Sequence, residues 1–103
     1  MIARDIQEKM PQIIMLLKKH QIKSAFLFGS VVTNKFSPAS DVDFLVDIIE
    51  NQEPAQAGEH LWDLGYGLEN LLRRKVDLLT RSSLRNSVLI NEIEKNKVSI
   101  YGQ

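Results

Sequence analysis

Three short apolar runs constrain this chain more than any other feature of it. They are Ser24-Ala25-Phe26-Leu27-Phe28, Asp41-Val42-Asp43-Phe44-Leu45-Val46-Asp47-Ile48 and Lys75-Val76-Asp77-Leu78-Leu79-Thr80. Each has the length and apolar character of a strand. The segments around them carry helical spacing instead. Ile6, Met10, Ile13, Ile14 and Leu17 recur at helical intervals in the first twenty residues. Pro11 fits a helix only near its first turn, because deeper inside it would clash with the Gln7 carbonyl. The pattern predicts a main helix starting near Pro11, with a looser stretch before it. Val31 to Ser40 holds Asn34, Ser37, Pro38 and Ser40 and reads as a short helix plus loop. Asn51 to Gly58, with Pro54, reads as a loop. A helix from about Gln56 to Leu72 follows, with Leu61, Leu64, Leu68, Leu71 and Leu72 facing the core. Gly65 and Gly67 each weaken it by ~1 kcal/mol relative to Ala. Ser82 or Ser83 can cap a helix running to about Asn96, and Val98-Ser99-Ile100-Tyr101 reads as a last short strand. Strands joined by helices predict an α/β (α+β) fold, a small mixed sheet covered by helices on at least one face.

The 103 residues suit one domain, with 44% hydrophobic and 25% charged residues as in ordinary globular chains. The absence of Cys excludes disulfides and thiolate metal sites and fits a reducing compartment. A formal charge of zero argues against a broad nucleic-acid surface. No run approaches the ~20 apolar residues that span a bilayer, and the first residues lack a signal-peptide core. The expectation is a cytoplasmic domain.

The acids are where chemistry could reside. Asp41 and Asp43, two apart on a strand, point to one face about 6–7 Å apart. Carboxylates so placed can ligate hard cations, and a pair of ions held by them can clamp the attacking and leaving oxygens of a phosphoryl displacement. The plain alternative is a strand terminus and a solvated edge residue. Asp47 shares that face but lies roughly 13 Å further along, outside any common site. Gly29-Ser30 ends the first strand. Glycine lets the backbone turn sharply and approach a ligand, and Ser offers a hydroxyl and an N–H to phosphate; alone, the pair is as readily a turn. Asp77, among Val76, Leu78 and Leu79, is either an exposed edge residue or part of a site, since an unpaired buried carboxylate is costly.

Together, Phe28-Gly29-Ser30, ten residues, Asp41-Val42-Asp43, and later Lys75-Val76-Asp77-Leu78 resemble the minimal nucleotidyltransferase family of the DNA polymerase β superfamily. The resemblance runs from the first helix to Ile100-Tyr101-Gly102 and implies that family's palm-like fold. It implies that Gly29 and Ser30 position the phosphates of a nucleoside triphosphate. Asp41, Asp43 and Asp77 would hold two Mg²⁺ ions, with Asp77 serving the acceptor hydroxyl. It further implies that ATP is the substrate and that the chain acts as an antitoxin, transferring AMP to a hydroxyl of a HEPN-type toxin, in a homo- or hetero-oligomer.

Two departures stand out. The family often follows Gly-Ser with Arg-Ala-Arg-Gly, whereas this chain has Val31-Val32-Thr33-Asn34, leaving Lys35 as the nearest cation. Arg73-Arg74-Lys75 replaces the usual glycine before the third strand. It reads as complementing the helix C-terminus at ~0.3–1 kcal/mol per charge, or else as a contact with a partner or with the nucleotide. His20 and His60 read as surface residues at helix ends. Trp62 and Tyr66, at i and i+4, read as core or interface.

Larger superfamily members bring a second domain for the acceptor. At this length the acceptor is expected to dock from outside. The alternative function is a catalytically weak or inactive antitoxin that masks its partner, which the missing arginines motivate. A small-molecule transferase would need a deep cleft shared between two copies.

Overall fold

The computed structural model describes residues 2–49 and 53–102. Helices α1 (Arg4–Glu8) and α2 (Met10–Lys19) precede strand β1 (Ile22–Phe28), and a 3₁₀ turn (Gly29–Val32) leads towards β2 (Val42–Ile48). Helix α3 (Pro54–Leu72), β3 (Val76–Thr80), a second 3₁₀ turn (Arg81–Ser83), α4 (Ser87–Asn96) and β4 (Val98–Tyr101) complete the chain. The four strands form one mixed sheet in the order β3-β2-β1-β4. β1 runs antiparallel to both β2 and β4. β2 and β3 are parallel, which requires the long crossover that α3 provides.

Alternation across the strands sorts their side chains onto two faces. Ala25, Leu27, Val42, Phe44, Val46 and Val76 pack with Ile13 and Leu17 of α2 and Leu64, Leu68 and Leu72 of α3. Each fully buried aliphatic or aromatic side chain here stabilises by about 1.5–3 kcal/mol. Phe28 and Leu45 face the other way, where Ile93 of α4 covers them with Phe26, Leu79 and Leu84 alongside. The unbroken Phe44-Leu45-Val46 run thus reflects cover on both faces of β2. Among the described residues no helix is long and apolar enough to cross a membrane.

Several expected boundaries shift for local reasons. The looser stretch before Pro11 is a short helix of its own, separated by a turn at Lys9, and Pro11 occupies the first turn of α2 as expected. Pro54 does not sit in a loop. It opens α3, where its missing N–H costs nothing; residues 51 and 52 of the expected loop lie outside the described residues. Gly65 and Gly67 do not break α3, and Gly67 lies against Leu16, where an added Cβ would come within 3.4 Å of a leucine methyl. The cap of α4 is Asn86, not Ser82 or Ser83: its side chain accepts from the N–H groups of Val88 at 2.9 Å and Leu89 at 3.2 Å.

Trp62 and Tyr66 are not core residues. They are 80% and 67% exposed. With Leu61, Gly58, Val76 and Leu78 they line a groove of about 490 Å³. The two histidines are half-buried against each other, with ring centroids 6.0 Å apart. Burial first, then the neighbouring Lys19, lowers the pKa of His20. His60 lies inside α3 and not at its end.

Candidate active site

The sheet register assembles the acids. Phe28, the last residue of β1, pairs with Asp43 of β2, and Asp43 pairs in turn with Asp77 of β3. Asp43 and Asp77 therefore stand side by side on neighbouring strands, on the face that α4 only partly covers. Asp77 is exposed because β3 is an edge strand. Asp41 lies one residue ahead of β2, not within it.

Gly29 follows directly and is indispensable to this geometry on two counts. Its φ of +79° favours glycine, and a Cβ there would overlap the Asp43 Oδ2 atom. The backbone at the end of β1 thus closes on the carboxylate. The turn that begins here is locked further on: Thr33 donates both its N–H and its hydroxyl to the Ser30 carbonyl, each at 2.9 Å. A smaller groove of about 270 Å³ opens beside Gly29, lined by Phe28, Thr33, Leu89, Glu92, Ile93 and Asn96.

The electrostatics are those of acids without a counter-charge. Among the described residues, no Lys or Arg forms an ion pair with Asp41, Asp43 or Asp77. Burial, then a hydrogen bond to Asp77 and its charge, then the charge of Asp41, push Asp43 up to about 6. No three His, Cys, Asp or Glu side chains among the described residues already close into a cation cage. Asp43 and Asp77 are in contact, with Asp41 beside them. Oxygen donors of like charge, crowded and unpaired, are nonetheless a donor set suited to a hard divalent cation.

At the opposite end of the same face, Asp47 accepts a hydrogen bond from Ser24 Oγ at 3.1 Å and pairs with Arg81 at 3.3 Å. Arg81 also reaches Glu94 at 3.3 Å, and Lys97 reaches Glu94 at 2.6 Å. Lys97 stands 4.4 Å over the Phe26 ring.

Residues 11–103 match the family described as polymerase beta, nucleotidyltransferase. The chain belongs to this nucleotidyltransferase family. A relative from Methanocaldococcus jannaschii, provisionally named a protein adenylyltransferase, is 35% identical over 85 residues, covering 82% of this chain and 83% of the relative. Another so named from the same organism is 39% identical over 83 residues, covering 78% and 82%. Among solved structures, a toxin–antitoxin pair crystallised with AMP-PNP matches with a TM-score of 0.72 at 24% identity, covering 91% of this chain and 73% of that one. A complex of tri-AMPylated Shewanella oneidensis HEPN toxin with its MNT antitoxin matches with a TM-score of 0.66 at 23% identity, covering 94% and 72%. These likenesses establish the mixed-sheet nucleotidyltransferase fold.

Within this nucleotidyltransferase, the residues that replace the family's arginines are structural. Val31, at the first arginine position, is fully buried, and Thr33, at the second, donates its hydroxyl to the Ser30 carbonyl. Arg74 departs from the role expected of the basic triplet. Arg73 adopts the left-handed conformation (φ 54°) that ends α3. Arg74 turns away to bind the Ser37 and Ser40 carbonyls and Asp5. Sequence reasoning singled out Arg74 only as part of a charge run. Its partners lie 34 or more residues away, and no local pattern announces them.

Proposed function

We propose that this nucleotidyltransferase transfers AMP from ATP to a hydroxyl of a partner protein, and that the partner is a HEPN-type toxin neutralised by the transfer. The observation that carries the reading is the register that sets Asp43 against Asp77 at the foot of Gly29. The names of the relatives and the toxin complexes among the fold neighbours support the acceptor class.

Asp41, Asp43 and Asp77 are the residues that would hold two Mg²⁺ ions. When bound, such ions supply charge neutralisation to the attacking and leaving oxygens. Gly29, whose missing side chain lets the end of β1 close on the Asp43 carboxylate, would bring its backbone to the phosphates, and Ser30 would offer its hydroxyl and N–H to the β- and γ-phosphates. Asp77, exposed at the sheet edge, meets the acceptor hydroxyl from solvent and takes its proton. The acceptor oxygen forms its bond to the α-phosphorus as the bond to the bridging oxygen breaks, and pyrophosphate leaves. α-Labelled ATP with Mg²⁺ and the toxin is expected to label the toxin. Asp41→Asn/Asp43→Asn should reduce that labelling by at least about 10²–10³-fold; labelling that persists in this variant overturns the reading.

The buried Val31 favours a second reading, in which the chain masks its partner with little turnover. In that case the same double variant still neutralises the toxin, and no label appears with wild-type protein.

A further inference from the structure

The loop that delivers Asp41 has no regular structure, yet it is held at defined points. Ser40 N donates to the Ser37 carbonyl at 3.0 Å, and Ser37 N donates to Ser40 Oγ at 3.0 Å, closing a tight turn. One guanidinium then fastens that turn from outside. Arg74 Nη1 donates to the Ser37 carbonyl at 2.7 Å and to the Ser40 carbonyl at 3.1 Å, while Nη2 pairs with Asp5 Oδ2 at 3.0 Å. Its plane stands 4.2 Å from the centre of the Phe36 ring, and its side chain is only 12% exposed. Immediately after Asp41, Val42 N donates to the Lys75 carbonyl at 3.0 Å. Asp41 is therefore bracketed. The residue before it hangs on Arg74, and the residue after it hangs on Lys75, the next residue along from Arg74.

We infer that Arg74 is a positioning residue for cation binding, holding the Ser37–Ser40 turn so that Asp41 stays beside Asp43 and Asp77. This rests on the proposed metal-dependent reading of the site. The chemistry requires arginine. Two carbonyls and a carboxylate are met by one planar fork, with a ring stacked on its face, whereas a lysine ammonium offers a single compact charge. Asp5 extends the brace into α1, whose preceding residue Ala3 donates its N–H to the Val31 carbonyl at 3.2 Å. The same N-terminal segment thus touches both the turn after Ser30 and the brace on Asp41.

The test is Mn²⁺ binding to the nucleotide-free protein, measured by titration alongside thermal unfolding. Arg74→Ala is expected to weaken binding roughly ten- to a hundred-fold, as loss of a residue supporting a ligand does. Arg74→Lys should recover only part of it, and Asp5→Asn, which leaves both carbonyl bonds in place, should lose least. If Arg74→Ala melts earlier but binds Mn²⁺ as tightly as wild type, Arg74 is merely structural and the inference is overturned. If Arg74→Ala does not fold, Arg74→Lys decides the matter on the same criterion. Wild-type protein that binds no Mn²⁺ would instead overturn the metal-dependent reading itself.

Discussion

The two ends of one sheet face carry acids in opposite circumstances. Asp47 is answered within the chain by Ser24 and Arg81, in a cluster that Glu94 and Lys97 extend. Asp43, two turns of the pleat away on the same strand, is answered by more acid: Asp77 across the register and Asp41 just upstream. A protein gains nothing in stability from the second arrangement, since like charges raise one another's pKa. The first is a structural ion-pair network. The second favours uptake of a proton or a cation from outside, which is what makes it the candidate site.

Cation affinity should separate the two ends most strongly. Binding requires deprotonated ligands, so affinity for Mg²⁺ or Mn²⁺ is expected to rise about tenfold per pH unit below the Asp43 value of about 6 and to level off above it. A titration series from pH 5 to 8 measures this, and an affinity flat across that range would place the cation elsewhere. Gly29→Ala comes next. Its side chain must enter a left-handed conformation and displace the Asp43 carboxylate, costing about 1–3 kcal/mol in unfolding free energy, together with a loss of cation binding. Denaturant unfolding with and without Mn²⁺ reads both.

The smallest effects carry opposite signs. The folded-state pKa of Asp43 lies above its ordinary value of 3.8, so the native state binds more protons and its stability falls as pH rises through about 4 to 6. In metal-free protein at pH 7, Asp43→Asn should therefore raise the melting temperature, and the gain should vanish below pH 4. Asp47→Asn should lower stability by less than about 1 kcal/mol, since its partner Arg81 is substantially exposed, and salt should shrink the loss. Equal signs for the two variants would erase the distinction between the ends.

Much of the candidate site's geometry was legible because its parts obey short-range rules. A glycine at a strand end and acids two apart on a strand report their local geometry whatever the rest of the chain does. The strands and main helices could be read from periodicity for the same reason. What escaped depended on context that periodicity and spacing do not carry. Asn86 took the cap in place of Ser82 or Ser83 because Arg81–Ser83 forms its own turn after β3. Trp62 and Tyr66, whose spacing suited core or interface alike, are exposed. Arg74 binds a loop more than thirty residues upstream.

The amino-acid sequence by itself determined the mixed helix-and-strand character, the Gly29-Ser30 turn and the spacing to Asp41 and Asp43, because backbone sterics and strand alternation act over a few residues. Only the tertiary structure decided that β3 lies parallel beside β2 at the sheet edge. That pairing brings Asp77 onto Asp43 across 34 residues of chain, raises the Asp43 pKa and leaves Asp77 exposed. Pairing between strands far apart in the chain depends on how the whole sheet packs, and no local signal encodes it.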